Sequence, residues 1–225
     1  KTFTLQNPGT APVNDIILTP NLAVGDSSDY RVNFSNVPRS LAAGQSATVT
    51  LRLRVPQFID AVDADLKEES IVIGQLVATG NAGSVTSSAV DMKLQVENKL
   101  RIKDIKVCHD TDCENADDGD TIDDVKPGDH IKVTVEVTND YSESDAEDID
   151  IEDIEVRLET DDDEDLDLDS ETEDLGDLSA NDEDTITVEF DVEEDASDGT
   201  AEFTIELKGE DEFSAHHGDF ARIRL

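Results

Sequence analysis

Ser46-Ala-Thr-Val-Thr-Leu-Arg-Leu-Arg-Val55 alternates without a break: Ala47, Val49, Leu51, Leu53 and Val55 fall on one side of an extended chain, Thr48, Thr50, Arg52 and Arg54 on the other. That period of two is the pattern of a half-buried strand, because successive side chains of a strand point to opposite faces, whereas a helix repeats its apolar positions three and four apart. Pro56 ends the run, having no amide hydrogen to give to a ladder. Upstream, Lys1–Asn7 alternates in the same way, with Phe3 and Leu5 against Thr2, Thr4 and Gln6, and runs into the turn residues Asn7-Pro-Gly-Thr10. Strands are predicted at Asp15–Thr19 and Tyr30–Phe34, with a turn at Val37–Gln45. Downstream, the polar stretch Asp60–Glu69 is expected to hold a short helix. Ile71–Thr79 and Ser84–Val96 then read as a hairpin around Gly80-Asn-Ala-Gly83.

Beyond a short joint at Asn98-Lys-Leu100 the same reading continues. Strands are predicted at Leu100–Val107, His130–Thr138, Ile149–Glu159, Thr185–Val192, Thr200–Lys208 and Phe220–Leu225. In Ile149–Glu159 the apolar series slips at Asp153, which predicts a bulge. The fold class is therefore all-β. With 225 residues the chain suits two tandem sandwich domains of about 100 residues each, residues 1–97 and 98–225. Aromatic residues are few, 7 Phe and 2 Tyr with no Trp, so the cores must be aliphatic and a carbohydrate-binding face paved with Trp is excluded.

The net charge of −40 is unevenly spread. Residues 1–98 hold 10 acidic and 7 basic side chains, a net of −3, and the remainder hold 47 and 10, a net of −37. Adaptation to a saline cytoplasm would acidify both halves alike, so local cation binding is the favoured account of the imbalance. A nucleic-acid partner is excluded by the want of a basic patch. No apolar run reaches the roughly 18 residues of a membrane-spanning helix. The chain opens on Lys1 with no signal peptide in view, and is expected to be a processed or excerpted segment.

The acidic half begins at Cys108-His-Asp-Thr-Asp-Cys-Glu-Asn-Ala-Asp-Asp-Gly-Asp120. Asp110, Asp112, Asp117, Asp118 and Asp120 offer carboxylate oxygens of the kind that Ca2+ takes, six to eight at a time, although the spacing is not that of an EF-hand. Two readings stand here, a Ca2+ site and a polar hairpin end. Cys108 and Cys113 lack the further ligands of a structural zinc site, and His109 between them should point away. A disulfide stapling a hairpin, with the oxidising setting it implies, is favoured over free thiols. Between Thr160 and Asp184 the acids are densest, yet Leu166, Leu168, Leu175 and Leu178 punctuate them, which suggests a segment that packs. In strand geometry Asp163, Asp165, Asp167 and Asp169 would share a face and repel.

His216-His217 beside Asp219 suits a transition metal only if both rings face one way; a surface turn is the expectation. Asn33-Phe-Ser35 fits an N-glycosylation acceptor. No nucleophile elbow, isolated carboxylate pair or phosphate-cradling glycine loop occurs, and no enzymatic activity is expected.

Lys1-Thr-Phe-Thr-Leu-Gln-Asn-Pro-Gly-Thr10, Leu41-Ala-Ala-Gly-Gln-Ser-Ala-Thr-Val-Thr-Leu-Arg-Leu53 and Val55-Pro56 resemble the immunoglobulin-like domains repeated in archaeal and bacterial surface proteins. Val125-Lys-Pro-Gly-Asp129 and the strand ending in Val137-Thr-Asn139 are similar to the surface modules related to cell-adhesion domains. In the first of these families the opening segment is the second strand. The resemblance thus implies that the chain is an excerpt of a longer array, or that a neighbouring subunit supplies the first strand and so builds a polymer. It also implies an extracellular, cell-surface location and a structural or adhesive role in a surface layer or filament. The partners would be copies of the chain or neighbouring surface-protein modules. Two alternatives are an accessory ligand-binding domain of a larger secreted enzyme and a salt-adapted surface protein without specific ion sites.

Overall fold

The computed structural model describes residues 1–23, 30–142, 148–160, 165–168, 171–197 and 199–225. The chain is all-β with several sheets, and among the described residues the regular elements are strands apart from one 3-10 turn at Asn81–Gly83. It divides into two compact units, Lys1–Gln57 with Ser70–Gln95, and Phe58–Glu69 with Val96–Leu225.

The first unit contains β1 (Thr2–Gln6), β2 (Val13–Asn14), β3 (Ile17–Leu22), β4 (Arg31–Ser35), β5 (Ser40–Leu41), β6 (Ser46–Arg54), β7 (Ile71–Gly80), β8 (Val85–Thr86) and β9 (Val90–Leu94). One sheet runs β1-β6-β4; in another β7 pairs with β3, β8 and β9, and β2 pairs with β5. All these pairings are antiparallel. The alternation read in β6 holds: Val49 is buried, Ala47, Leu51 and Leu53 are partly buried, and Arg52 and Arg54 are exposed. The core of this unit is small. Tyr30, Leu41, Val49 and Ile73 are its buried apolar residues among those described.

The second unit contains β10 (Leu100–His109), β11 (Asp112–Ala116), β12 (His130–Asn139), β13 (Ile151–Thr160), β14 (Leu166–Asp167), β15 (Thr172–Leu178), β16 (Glu183–Val192), β17 (Glu202–Asp211) and β18 (His216–Arg224). Its sheets run β11-β10-β12-β16-β14 and β15-β13-β17-β18. Every second residue of β12 and β17 is buried, and Ile131, Val133, Val135 and Val137 join Phe203, Ile205 and Leu207 in one apolar cluster drawn from both sheets. That arrangement is consistent with a β-sandwich. The bulge expected at Asp153 is present: its φ is 51° and the β13–β17 register shifts between Glu152 and Glu155. Leu166, Leu168 and Leu178 are buried, so the acidic stretch packs through its leucines as expected.

The helix expected in Asp60–Glu69 does not form. Asp63 Oδ1 accepts from the amides of Asp65 and Lys67, both at 2.9 Å, and Leu66 takes a left-handed φ of 59°. A short acidic side chain that satisfies nearby amides competes directly with helix formation. Ala61, Val62 and Leu66 bury their side chains instead, and the segment belongs to the second unit.

Candidate functional site

β10 and β11 form a hairpin in which His109 pairs with Asp112, leaving Asp110 and Thr111 as the turn; Asp110 has φ 50°. Cys108 faces Cys113 in register and the two are disulfide-bonded, with Cα atoms 4.0 Å apart. His109 turns inward, as the alternation required, and places Nδ1 3.6 Å from Asp129 Oδ2.

The loop after β11 is stitched to β18. Asp118 Oδ1 accepts from the amide of Arg222 at 2.9 Å, and Gly119, with φ 87°, donates its amide to the Arg222 carbonyl at 2.7 Å. Asp120 Oδ2 accepts from the amide of Asp117 at 2.9 Å, and Arg224 Nη1 donates to the Gly119 carbonyl at 3.0 Å. Two of the aspartates expected to bind an ion therefore satisfy backbone amides.

The five aspartates named for a Ca2+ site fall at two places on the β10–β11 hairpin. Asp110 and Asp112 sit at the hairpin tip, whereas Asp117, Asp118 and Asp120 follow the far end of β11. Residues 112–116 are not loop but strand, paired with β10, and an extended chain advances about 3.3 Å per residue, so about 17 Å of chain separates Asp112 from Asp117. Among the described residues no cluster of three or more His, Cys, Asp or Glu side chains could hold a metal ion.

In the later acidic stretch Asp163 and Asp169 lie outside the described residues. Asp165 Oδ1 accepts from the amide of Ser197 at 2.8 Å, and Asp167 on β14 stands opposite Asp191 on β16. Glu152 likewise faces Glu210, and Glu155 faces Asp174. Basic side chains are set among these acids. Lys103 pairs with Glu136 and Glu183, Lys132 with Glu189 at 3.1 Å, Lys208 with Glu206 at 2.6 Å and Arg224 with Glu202 at 3.0 Å. The hydrogen bonds that Lys103 donates to Glu136 and Glu183 raise its pKa, and those donated by Lys103 and Lys132 hold Glu136 and Glu189, respectively, below the usual carboxylate range.

His216 and His217 begin strand β18 rather than forming the surface turn expected, and their rings face opposite ways. His216 is exposed between two carboxylates, with Nδ1 2.9 Å from Asp60 Oδ1 and Nε2 3.2 Å from Glu210 Oε1. The hydrogen bond to Asp60 raises its pKa. His217 is buried, and desolvation lowers its pKa. Its Nδ1 accepts from the amide of Lys99 at 3.1 Å, so in the neutral ring the proton is on Nε2, 3.3 Å from Tyr141 Oη and 3.6 Å from Asp211 Oδ2. Asp211 Oδ1 in turn accepts from the amides of Phe213 and Ala215. The cluster ties the start of β10 and the end of β12 to the β17–β18 turn. Asp219 accepts from the Ile102 and Phe220 amides, and burial raises its pKa.

Sequence reasoning missed a pair of asparagines. Asn7, at the end of β1, is buried; its Nδ2 donates to the carbonyls of Ala11, Leu41 and Ala42 at 2.9, 3.1 and 3.2 Å, and its Oδ1 accepts from the Gly9 amide. Asn139, at the end of β12, is fully buried; its Nδ2 donates to Ile149 and Leu178 at 3.0 and 2.9 Å, and its Oδ1 accepts from the Tyr141 amide. The backbone repeats too: Asn7 donates to Gln45 and accepts from Gly44, as Asn139 donates to Asp182 and accepts from Asn181. Gly44 and Asn181 both take left-handed φ, 73° and 61°. The available signal was the parallel between Leu41-Ala-Ala-Gly-Gln45 and Leu178-Ser-Ala-Asn-Asp182, each preceding a long strand. Asn33, the candidate glycosylation acceptor, is exposed on β4 at a sheet edge, opposite Arg52. No family model matches the sequence, and no curated protein matches it.

Proposed function

We propose that the chain is a pair of tandem immunoglobulin-like β-sandwich modules with a structural, adhesive role at the surface of a prokaryotic cell, in a surface layer or an extracellular filament. The observation that carries this reading is the repetition of one buried asparagine clamp, in the same backbone setting, in two units of very different charge. A plan reused within a chain is what arrays of structural modules are built from. The disulfide and the exposed carboxylate-rich faces fit an oxidising, ion-rich exterior. Antiparallel ladders resist extension, the disulfide and the loop stitched to β18 hold the second module's margin, and the acidic faces carry counter-ions, Ca2+ among them. Asn33 is placed where a glycan would project freely.

Immunogold labelling of intact cells with an antibody against residues 98–225 tests the reading. Label along the cell envelope is expected. Label confined to the cytoplasm, with Cys108 and Cys113 recovered as thiols, would overturn it. The second unit's acid crowding favours one alternative, a salt-adapted protein without ion seats, and the response to different cations separates the two.

A further inference from the structure

We infer that the first unit is a strand acceptor: the free edge of β1 binds an extended polypeptide segment, antiparallel, whose alternate apolar side chains enter the pocket beside Leu5. The inference does not depend on where the protein works. It rests on a comparison that the chain makes with itself.

Asn7 and Asn139 fix the correspondence between β1 and β12. Counting back from each, Leu5 corresponds to Val137 and Phe3 to Val135, and both strands pair on one side in matching register, Gln6 with Ser46 and Thr138 with Glu183. On its other side β12 is covered by β10, with Leu100 opposite Asn139 and Ile102 opposite Val137. Among the described residues β1 ends its sheet and no strand pairs with it on that side.

The consequences appear in burial. Val135 and Val137 are 0% exposed, whereas Phe3 and Leu5 are only partly buried. Leu100 is also 0% exposed and packs onto Gly209 of β17, where an added Cβ would lie 3.0 Å from its Cδ2. β10 thus closes the gap between the two sheets of its unit. In the first unit that place is an open pocket of about 470 Å³, lined among others by Leu5, Val13, Ile16, Leu41, Ala78 and Val85, with Val85 41% exposed.

The free edge is also chemically ready. Lys1 and Leu51 exchange both backbone hydrogen bonds, and Asn7 donates to Gln45, so the odd-numbered residues of β1 point their amides at β6. In an antiparallel pair the bonding alternates, which leaves the amides and carbonyls of Thr2, Thr4 and Gln6 facing outward. Main-chain bonds along such an edge give affinity, and pockets for alternate side chains give specificity. The occupant is defined by what fills the same place in the second unit: a strand with the pattern of Leu100-Arg-Ile102, supplied by a polypeptide segment other than residues 1–225 of the same molecule.

The test uses the full 225-residue chain and a synthetic peptide with the sequence of Asn98–Val107, in salt high enough to suppress binding to the acidic unit. Amide exchange by NMR is expected to slow about tenfold or more at Thr2, Thr4 and Gln6 when the peptide is added. A peptide carrying L100S and I102S, with unchanged charge, should give no protection. Thr4→Pro in the protein removes an outward amide without touching the β1–β6 bonds, and should abolish the effect while the chain stays folded. No protection by the first peptide, equal protection by the serine peptide, or protection confined to Glu136 and Thr138 would each overturn the proposal. So would an amide edge already protected in a dimer of the chain, which would make the occupant a second copy's β1.

Discussion

At the residue scale, the asparagine clamps make the sharpest demand. Asn139 has no solvent exposure and satisfies two carbonyls and one amide, so truncation strands three buried polar groups. Unsatisfied buried groups cost about 1–3 kcal/mol each before relaxation. Asn139→Ala should destabilise the second unit by about 2–4 kcal/mol, and Asn139→Asp by more, because a carboxylate would face the carbonyl oxygens of Ile149 and Leu178. Urea unfolding checks the order, and an aspartate variant as stable as the alanine would refute it. The adjacent histidines make opposite pH predictions. His216, bonded to Asp60 and Glu210, has its pKa raised above the ordinary 6.5, so its contribution is fully present below that value and is lost as pH rises through the folded pKa. His217, desolvated beside Tyr141 and Asp211, has its pKa lowered from 6.5; its contribution is present above that value and is lost as pH falls. The stability lost in His216→Gln should therefore be largest at acid pH and vanish at alkaline pH, as urea midpoints of the two proteins across pH would reveal. The opposed rings were legible from strand alternation. The clamp was not, since its partners lie 34 residues away for Asn7 and 39 for Asn139.

At the element scale, strands with a clean period of two were legible, and so was the Asp153 bulge, because a slip in the apolar series has one simple structural meaning. β11 was not. Asp112-Cys-Glu-Asn-Ala116 has no apolar alternation and is extended because β10 offers it a ladder and Ala116 a place in the core. The cysteine pair did point to a hairpin end here, and only the length of its second strand went unread. The segment Asp60–Glu69 failed for a related reason, as its acids served turns and a histidine rather than a helix. The disulfide spans a separation of 5 residues and closes a hairpin already held by pairing. Loop-closure entropy for so short a ring is about 2 kcal/mol at most. Reduction should therefore cost about 1–2 kcal/mol, lowering the second unit's melting temperature by several degrees without unfolding it. Calorimetry with and without reductant measures this, and complete loss of the transition on reduction would contradict it.

At the scale of the whole molecule, charge decides. Facing carboxylates such as Asp167 with Asp191, or Glu152 with Glu210, repel by about 0.8 kcal/mol at 5 Å even in water. The paired cations answer only part of this, for the second half keeps a net of −37 from 47 acidic and 10 basic groups. Counter-ions spread over the sheet faces, close to these facing pairs, would relieve the rest. Two charges on one ion can bridge a facing pair where sodium can only screen it. Calcium and magnesium should then raise the second unit's melting temperature by comparable amounts, by about 5 °C or more above sodium chloride at matched ionic strength. The relevant transition is the one that reduction of Cys108–Cys113 moves. Calcium far ahead of magnesium would point to a defined calcium seat outside the described residues or formed on binding. All three salts equal would leave screening alone and favour the salt-adapted reading.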